Sequence, residues 1–506
     1  MVNPISPTQT TPQSPNKTTK TSIFYINDVH ANVSNMERLK SASDEFDAFV
    51  PSKDTDKLKF SAGDIIAGRD PKLGKLAVEF QNSTGIMASA GGNHEFDLNK
   101  EDLSEILKDK EFKFLGMNAE IPSTNESFKK LDEEMISSYI QEQNGTKYGV
   151  IGLLPPDFAY HQTDPDEYKD VKILATKEYA PLVQKEIDKM KEQGINKIIV
   201  LSHAGYEDDI ELAKSVEGID IIIGGHTHTL IEDIKENENL FYSAKTGAPT
   251  IITQAGKDGK YFGVLNLEFN ENGVITKAQN NVNETKNYPK SKIAQYFTDK
   301  FLGKPKIYGK INSAPNDPPR LSTEQASADF ILDVMKSELN VDATIFNSAQ
   351  LRDTFKPGDL TDRDLAELSP FKNKISIIKL TEKELVDAIK VGTQSFTNEE
   401  HVPGLLQVSG LKYTATTAGD VKEIIFVNKD GKETKIDVNN PNPFKTYRVG
   451  TNEYVGKGGN GYIANKHNEA EVNFDFDQDK LIVDYMKKQT KPIDIKTDGR
   501  ITILDA

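Results

Sequence analysis

The 506 residues carry 78 acidic and 62 basic side chains, a formal net charge of −16, and no basic stripe offsets that sign, so a nucleic-acid polymer is a poor partner. The absence of cysteine excludes disulfides and thiolate metal ligands, and no apolar run approaches the roughly 18 residues of a membrane span. With 36% apolar residues, a chain this long buries more than one core, and two domains are expected.

Residues 1–21, MVNPISPTQTTPQSPNKTTKT, are rich in Thr, Pro, Ser and Asn and read as a disordered leader. They lack the apolar core of about 7 to 15 residues that a secretory signal needs, so the expectation is a cytoplasmic protein or a processed exported form. Five short apolar runs follow, each ending on a polar cluster: SIFYINDVH (22–30), KLKFSAGD (57–64), GIMASAGGNHEFD (85–97), KIIVLSHAG (197–205) and IDIIIGGHTH (219–228). Runs of β-branched and aliphatic residues bounded by Gly, Asn and Asp predict buried strands, and the helical stretch 175–194 makes the layout α/β. Ligands in such sheets collect beyond the carboxyl ends of the strands, so five loops far apart in sequence can point at one place. Five of the eight histidines, His30, His94, His203, His226 and His228, lie in these blocks.

Ligand chemistry narrows the ions. Two carboxylates (Asp28, Asp64), one amide (Asn93) and four histidines form a mixed oxygen and nitrogen set, which suits Zn, Mn, Fe, Co or Ni better than Ca or Mg. Seven ligands exceed one closed tetrahedral site. They fit two divalent ions about 3.5 to 4 Å apart that share a carboxylate and keep positions open for water and substrate, with Asp64 as the bridge.

Further along, SAPNDPPR (313–320) is a turn-rich break. In the segment after it, Ser322 and Gln325 are spaced as a capping box, and Ala328, Ile331, Leu332, Met335 and Leu339 form one apolar stripe. The expected organisation is a metal-binding domain over 22–320, a connecting helix over 321–339 and a second α/β domain over 340–506. His161, His401 and His467 fall outside the motifs and read as ordinary loop or surface residues, while Asn118 is expected to satisfy backbone groups.

DVH, GD, GNHEFD, HAG and GGHTH, in this order, resemble the motifs of the calcineurin-like metallophosphoesterases. NSAQLRDTF (347–355), GDLT (358–361), SPF (369–371), LLQVSG (405–410) and TNEYVGKGGNGY (451–462) resemble the C-terminal domain of the 5′-nucleotidase family. The resemblance implies a four-layer αββα domain that holds the metals and a second α/β domain that binds substrate. By position, it implies that Asp28, His30, Asp64 and His228 form the first metal site and Asp64, Asn93, His203 and His226 the second. It makes His94 and Asp97 the catalytic pair, with a metal-acidified water attacking phosphorus in line. Arg352 matches an arginine that contacts substrate phosphate, although NSAQLR replaces the family's glycine-rich loop at that point. Tyr462 matches one ring of a base-stacking clamp, and Leu405 stands where the other ring belongs.

The implied function is hydrolysis of nucleoside 5′-monophosphates or related nucleotides. The alternatives are a 2′,3′-cyclic nucleotide phosphodiesterase, a nucleotide-sugar hydrolase, or a metal-binding surface protein without turnover. Members of the family are often exported.

Overall fold

The computed structural model describes residues 3–4, 18–49, 53–161, 164, 166–315, 321–396 and 404–505. These fall into two compact units, Met1–Lys304 and Pro305–Ala506. Most of the expected leader, 1–2 and 5–17, lies outside the described residues, as do His401 and the end of the 313–320 break. The first long strand, Thr19–Ile26, begins inside the span read as leader, because Thr21 and Ser22 are buried between paired strands on both sides.

The first unit is built on two sheets. In the larger, Thr19–Ile26, Asp56–Ser61, Ala88–Ala90 and Lys113–Leu115 run parallel and adjacent, with Tyr261–Phe269 and Ile275–Glu284 antiparallel beside them. In the smaller, Thr146–Leu153, Ile198–Ser202, Ile221–Gly224 and Pro249–Thr253 are parallel neighbours. The parallel strands read as continuous aliphatic runs because both of their faces are covered. One core, which includes Ile23, Tyr25, Leu58, Phe60, Val150, Ile199 and Ile221, lies between the sheets. A second core packs the helices Val33–Phe49, Pro71–Thr84 and Lys100–Leu107 on the outer face of the larger sheet. A third packs Thr176–Glu192 on the smaller sheet, through Tyr179, Val183, Ile187 and Met190 on one helical stripe. The layer order is therefore αββα, as the motifs imply.

The second unit has a five-stranded sheet, ordered Leu406–Ser409, Ala343–Asn347, Thr446–Asn452, Lys374–Thr381 and Val472–Asp477, and two smaller sheets. Its boundary corrects the sequence reading. The units divide between Lys304 and Pro305, and the strand Ile307–Ser313 already pairs with Gly358–Thr361 of the second unit. The expected connecting helix forms over Ala326–Leu339, but its apolar stripe packs in a core with Ile311, Phe346, Ile377 and Ile482, so it is an integral helix of the second unit. Its capping box does not form either. Gln325 itself occupies the N-cap, without a side-chain cap bond, so Ser322 lies a full turn too early.

Candidate metal and catalytic site

Each expected ligand sits one to four residues past the carboxyl end of a strand, and the parallel strands of both sheets deliver these loops to one edge of the sandwich. The turns are sharp. Among the described residues, twelve non-glycine residues have positive φ, and five of them are expected ligands: Asp28, His30, Asp64, His226 and His228. Left-handed backbone costs about 1 to 3 kcal/mol per non-glycine residue and persists where the surroundings over-determine it, which marks this edge as a functional one. Gly92 is required by contact: a Cβ there would overlap the Asp64 carboxylate and lie 2.7 Å from the Asp64 nitrogen.

The ligand atoms converge in groups. Asp28, His30 and His228 form one, Asp28, Asp64 and His203 another, and His30, Asp64 and His94 a third, all mutually within 4.8 Å. His228 Nε2 is 3.4 Å from Asp28 Oδ1, His30 Nε2 is 3.5 Å from Asp64 Oδ2, and His203 Nε2 is 3.0 Å from Asp64 Oδ2. Asp64 thus stands between both groups of histidines, the position a bridging carboxylate needs.

The outer contacts fix these side chains. His30 Nδ1 meets Asp258 Oδ1 at 3.2 Å, and His203 Nδ1 donates to the Ala62 carbonyl at 2.6 Å. The His226 backbone N–H and the Asn27 amide donate to Asp28. Such partners set the tautomer of a ligating imidazole and orient it.

The residues fit a divalent ion on an independent observation. Asn93 Oδ1 is buried and makes no hydrogen bond, an acceptor that solvent cannot satisfy. Charge agrees. Burial alone would raise both carboxyls, but the imidazoles of His203 and His228 hold Asp28 down at about 2, and those of His203 and His94 hold Asp64 well below its ordinary value. Burial presses His203 toward neutrality, yet Asp64 and Asp28 push it up to about 10, so a proton on His203 and a divalent cation compete for the same two carboxylates. Desolvation outweighs Asp28 at His228 and lowers that imidazole, which favours the form that can ligate.

His94 opens the short helix His94–Asp97, which turns its ring back onto Asp97: Nδ1 lies 2.7 Å from Asp97 Oδ2, and the Gly68 N–H holds the same oxygen at 2.8 Å. The His94 backbone N–H donates to Asp64 Oδ1 at 2.8 Å, so the histidine–carboxylate pair is tied to the bridging ligand.

The comparisons with known proteins agree. The family model for the calcineurin-like phosphoesterase matches residues 21–230, and that for the 5′-nucleotidase C-terminal domain matches 308–467. The chain belongs to the calcineurin-like phosphoesterases that carry a 5′-nucleotidase C-terminal domain. Members of this family are metal-dependent phosphoester hydrolases, and the chain is an enzyme of that class.

A trifunctional nucleotide phosphoesterase protein of Bacillus subtilis is 27% identical over 95% of this chain, which spans only 34% of that longer relative. A probable 5′-nucleotidase of Treponema pallidum is 26% identical, over 87% of this chain and 86% of the relative. The fold is also that of a 5′-nucleotidase precursor from Thermus thermophilus, with a TM-score of 0.78 at 23% identity, covering 96% of this chain and 99% of that one. Among the described residues, no helix is long and apolar enough to cross a membrane.

The phosphoesterase unit also uses residues that the motifs did not single out. Glu95, buried between Asn93 and Asp97, accepts the backbone N–H groups of Asp64 (3.0 Å), Ile65 (2.8 Å), Ile66 (3.2 Å) and Gly92 (2.7 Å), and so clamps two ligand loops together. Burial first and the Asp64 charge second push its carboxyl up to about 7. Asp157 receives two imidazoles: His226 Nε2 lies 3.0 Å from its Oδ1, and His161 Nε2 lies 2.8 Å from its Oδ2. This corrects the reading of His161 as an ordinary loop residue. Asn118 does what was expected of it, since its amide bridges the backbone of Leu154 and Leu174.

In the 5′-nucleotidase C-terminal unit the substrate residues fare differently. Arg352 is half-buried with its guanidinium 5.0 Å from the Phe371 ring, and its backbone N–H donates to the Leu368 carbonyl. Leu405 and Tyr462 are 0% and 1% exposed and belong to the unit's hydrophobic core, where the Tyr462 hydroxyl donates to the Gly404 carbonyl at 2.7 Å. As described, neither side chain offers a face to a nucleobase, which corrects the expectation of a clamp at these positions. The apolar side chain and ring that qualify a residue for stacking equally qualify it for a core.

Proposed function

We propose that this enzyme releases phosphate from nucleoside 5′-monophosphates or related nucleotides with the help of two divalent metal ions. The observation that carries this reading is the Asp28–Asp64 centre, walled by His30, His203 and His228, with the His94–Asp97 pair hydrogen-bonded to its edge. The names of the relatives from Bacillus subtilis and Treponema pallidum supply the substrate class.

Asp28, His30, Asp64 and His228 would hold the first ion, and Asp64, Asn93, His203 and His226 the second. Two such ions, when bound, acidify a water and neutralise charge on the phosphoryl oxygens. The chain's own residues do the rest. Asp97 orients His94 through Nδ1, leaving Nε2 to stabilise developing charge or to protonate the leaving oxygen. Glu95 keeps the Asp64 and Gly92 loops in register, so the bridge does not shift as charge moves.

The burial of Leu405 and Tyr462 supports loose base selection, and with it a substrate range that includes cyclic nucleotides or nucleotide sugars. The test is phosphate release by metal-reconstituted protein from AMP, GMP, CMP, UMP, 2′,3′-cyclic AMP, UDP-glucose and an aryl phosphate. Turnover of the monophosphates within about tenfold of one another is expected. Turnover of the aryl ester with none of the nucleotides would overturn the substrate class, and no turnover at all would leave a metal-binding protein.

A further inference from the structure

We propose that Asp157 is a positioning residue for the second metal ion, fixing the His226 ring so that Nδ1 faces the ion, with His161 buttressing the same carboxylate. The inference rests on the two-ion reading above. His226 Nε2 straddles the Asp157 carboxylate, 3.0 Å from Oδ1 and 3.2 Å from Oδ2, so Nδ1 is the ring nitrogen left for an ion. The His226 ring lies beside His203, 5.3 Å between centroids, and its backbone N–H is already spent on Asp28. His161 reaches Asp157 Oδ2 at 2.8 Å from the short helix Phe158–His161, and its ring packs edge-on against His226 at 5.1 Å.

The three side chains also lie close enough together to ligate an ion of their own, and the number of ions bound separates the two readings. Two ligands each about 2.1 Å from a common ion at a tetrahedral angle stand about 3.4 Å apart. The Asp28–His228 and His30–Asp64 separations of 3.4 and 3.5 Å fit that value, whereas His203–Asp64 is shorter at 3.0 Å and His30–Asp28 longer at 3.8 Å. The His161–Asp157 separation of 2.8 Å is a hydrogen-bond length instead. A carboxylate on the far nitrogen of a ligating imidazole fixes its tautomer and raises its basicity, and losing such a partner typically costs about 10- to 100-fold in metal affinity. Asp258 stands in the same relation to His30 at the first site, so each ion would have one histidine held by a carboxylate.

The experiment is Zn²⁺ titration of the full chain against a chromophoric chelator, resolving two dissociation constants, with melting of the metal-free proteins as a folding control. Asp157→Ala should weaken one ion by about 10- to 100-fold and leave the other unchanged. His161→Ala should weaken the same ion by less, and Asp157→Asn, whose amide oxygen can still accept from Nε2, should fall between wild type and Asp157→Ala. Should Asp157→Ala fail to fold, His161→Ala and Asp157→Asn carry the test. Wild-type constants in folded variants would overturn the inference. So would a third wild-type ion that His161→Ala removes, which would make Asp157 and His161 ligands. Fewer than two ions on wild type would overturn the two-ion reading itself.

Discussion

Glu95→Gln is the sharpest test of how the centre is held together. The carboxylate divides four backbone donors evenly: Oε2 takes the N–H groups of Asp64 and Gly92, and Oε1 those of Ile65 and Ile66. A glutamine amide keeps only one acceptor, so in either orientation its NH₂ faces two N–H groups and strands both. A stranded buried donor costs about 1 to 3 kcal/mol, which puts the loss at about 2 to 6 kcal/mol. The substitution also removes a buried carboxyl that burial and the Asp64 charge push up to about 7, and that relief moves the expectation to the lower half of the range. The stranded pair is either the Asp64 and Gly92 donors or the Ile65 and Ile66 donors that follow Asp64, so in both orientations the loop of the bridging ligand should shift and bound metal should be lost on dialysis along with stability. The assay is the urea midpoint of metal-free protein, paired with metal content after dialysis. Asp70→Asn, at an exposed helix N-cap whose side chain accepts the Lys72 N–H, serves as the control and should move the midpoint little. A Glu95→Gln protein with the wild-type midpoint and both ions retained would refute the clamp.

Asp64→Asn should weaken both ions while His228→Ala chiefly weakens one, as read by metal analysis; equal behaviour of the two variants would remove Asp64 from the bridge. His94→Asn should keep both ions and lower kcat by about 10²- to 10⁴-fold, and metal loss in step with activity would instead make His94 a ligand beside His30 and Asp64. Asp220, buried and accepting the Ile198 N–H at 2.7 Å, has its carboxyl lifted by burial to about 8 despite that bond and Lys197. The native state therefore holds a proton that the unfolded chain loses near pH 4, so stability falls as pH rises from about 4 to about 8. Asp220→Asn keeps an acceptor and does not titrate, so it should be more stable than wild type by a few kcal/mol above about pH 8 and converge with it near pH 4. Urea midpoints at pH 5 and 8.5 measure the slope, and a wild type that gains on the variant with rising pH would contradict it.

The legible part of this chain is whatever a local pattern carries. An aliphatic run that ends on a polar cluster states in one stretch of sequence both a buried strand and a candidate ligand at its carboxyl end, and for that reason the positions of Asp28, Asp64, Asn93 and His203 past their strands could be read without a structure. The same rule reaches further than the five motif blocks. Tyr148–Leu154 is also such a run, leads into PPD and delivers Asp157; Thr250–Thr253 leads into QAGKD and delivers Asp258. These two acids are harder to see because an isolated aspartate after a strand is also an ordinary turn residue, and only the imidazole facing it across the site separates the two roles.

The illegible part is nonlocal. Whether Ala326–Leu339 joins two domains or packs inside one depends on Ile311, Phe346 and Ile482, which are distant in sequence, and an amphipathic stripe looks the same in either case. Tyr462 shows the same limit at a site residue. Its motif predicts a ring available to a base, but the ring's surroundings come from Leu405, Val455 and other residues of its core, and burial there cancels what the residue type alone suggested. A candidate ligand follows from chemistry that a short motif contains, whereas substrate selection depends on which side chains remain uncovered after the rest of the chain has packed.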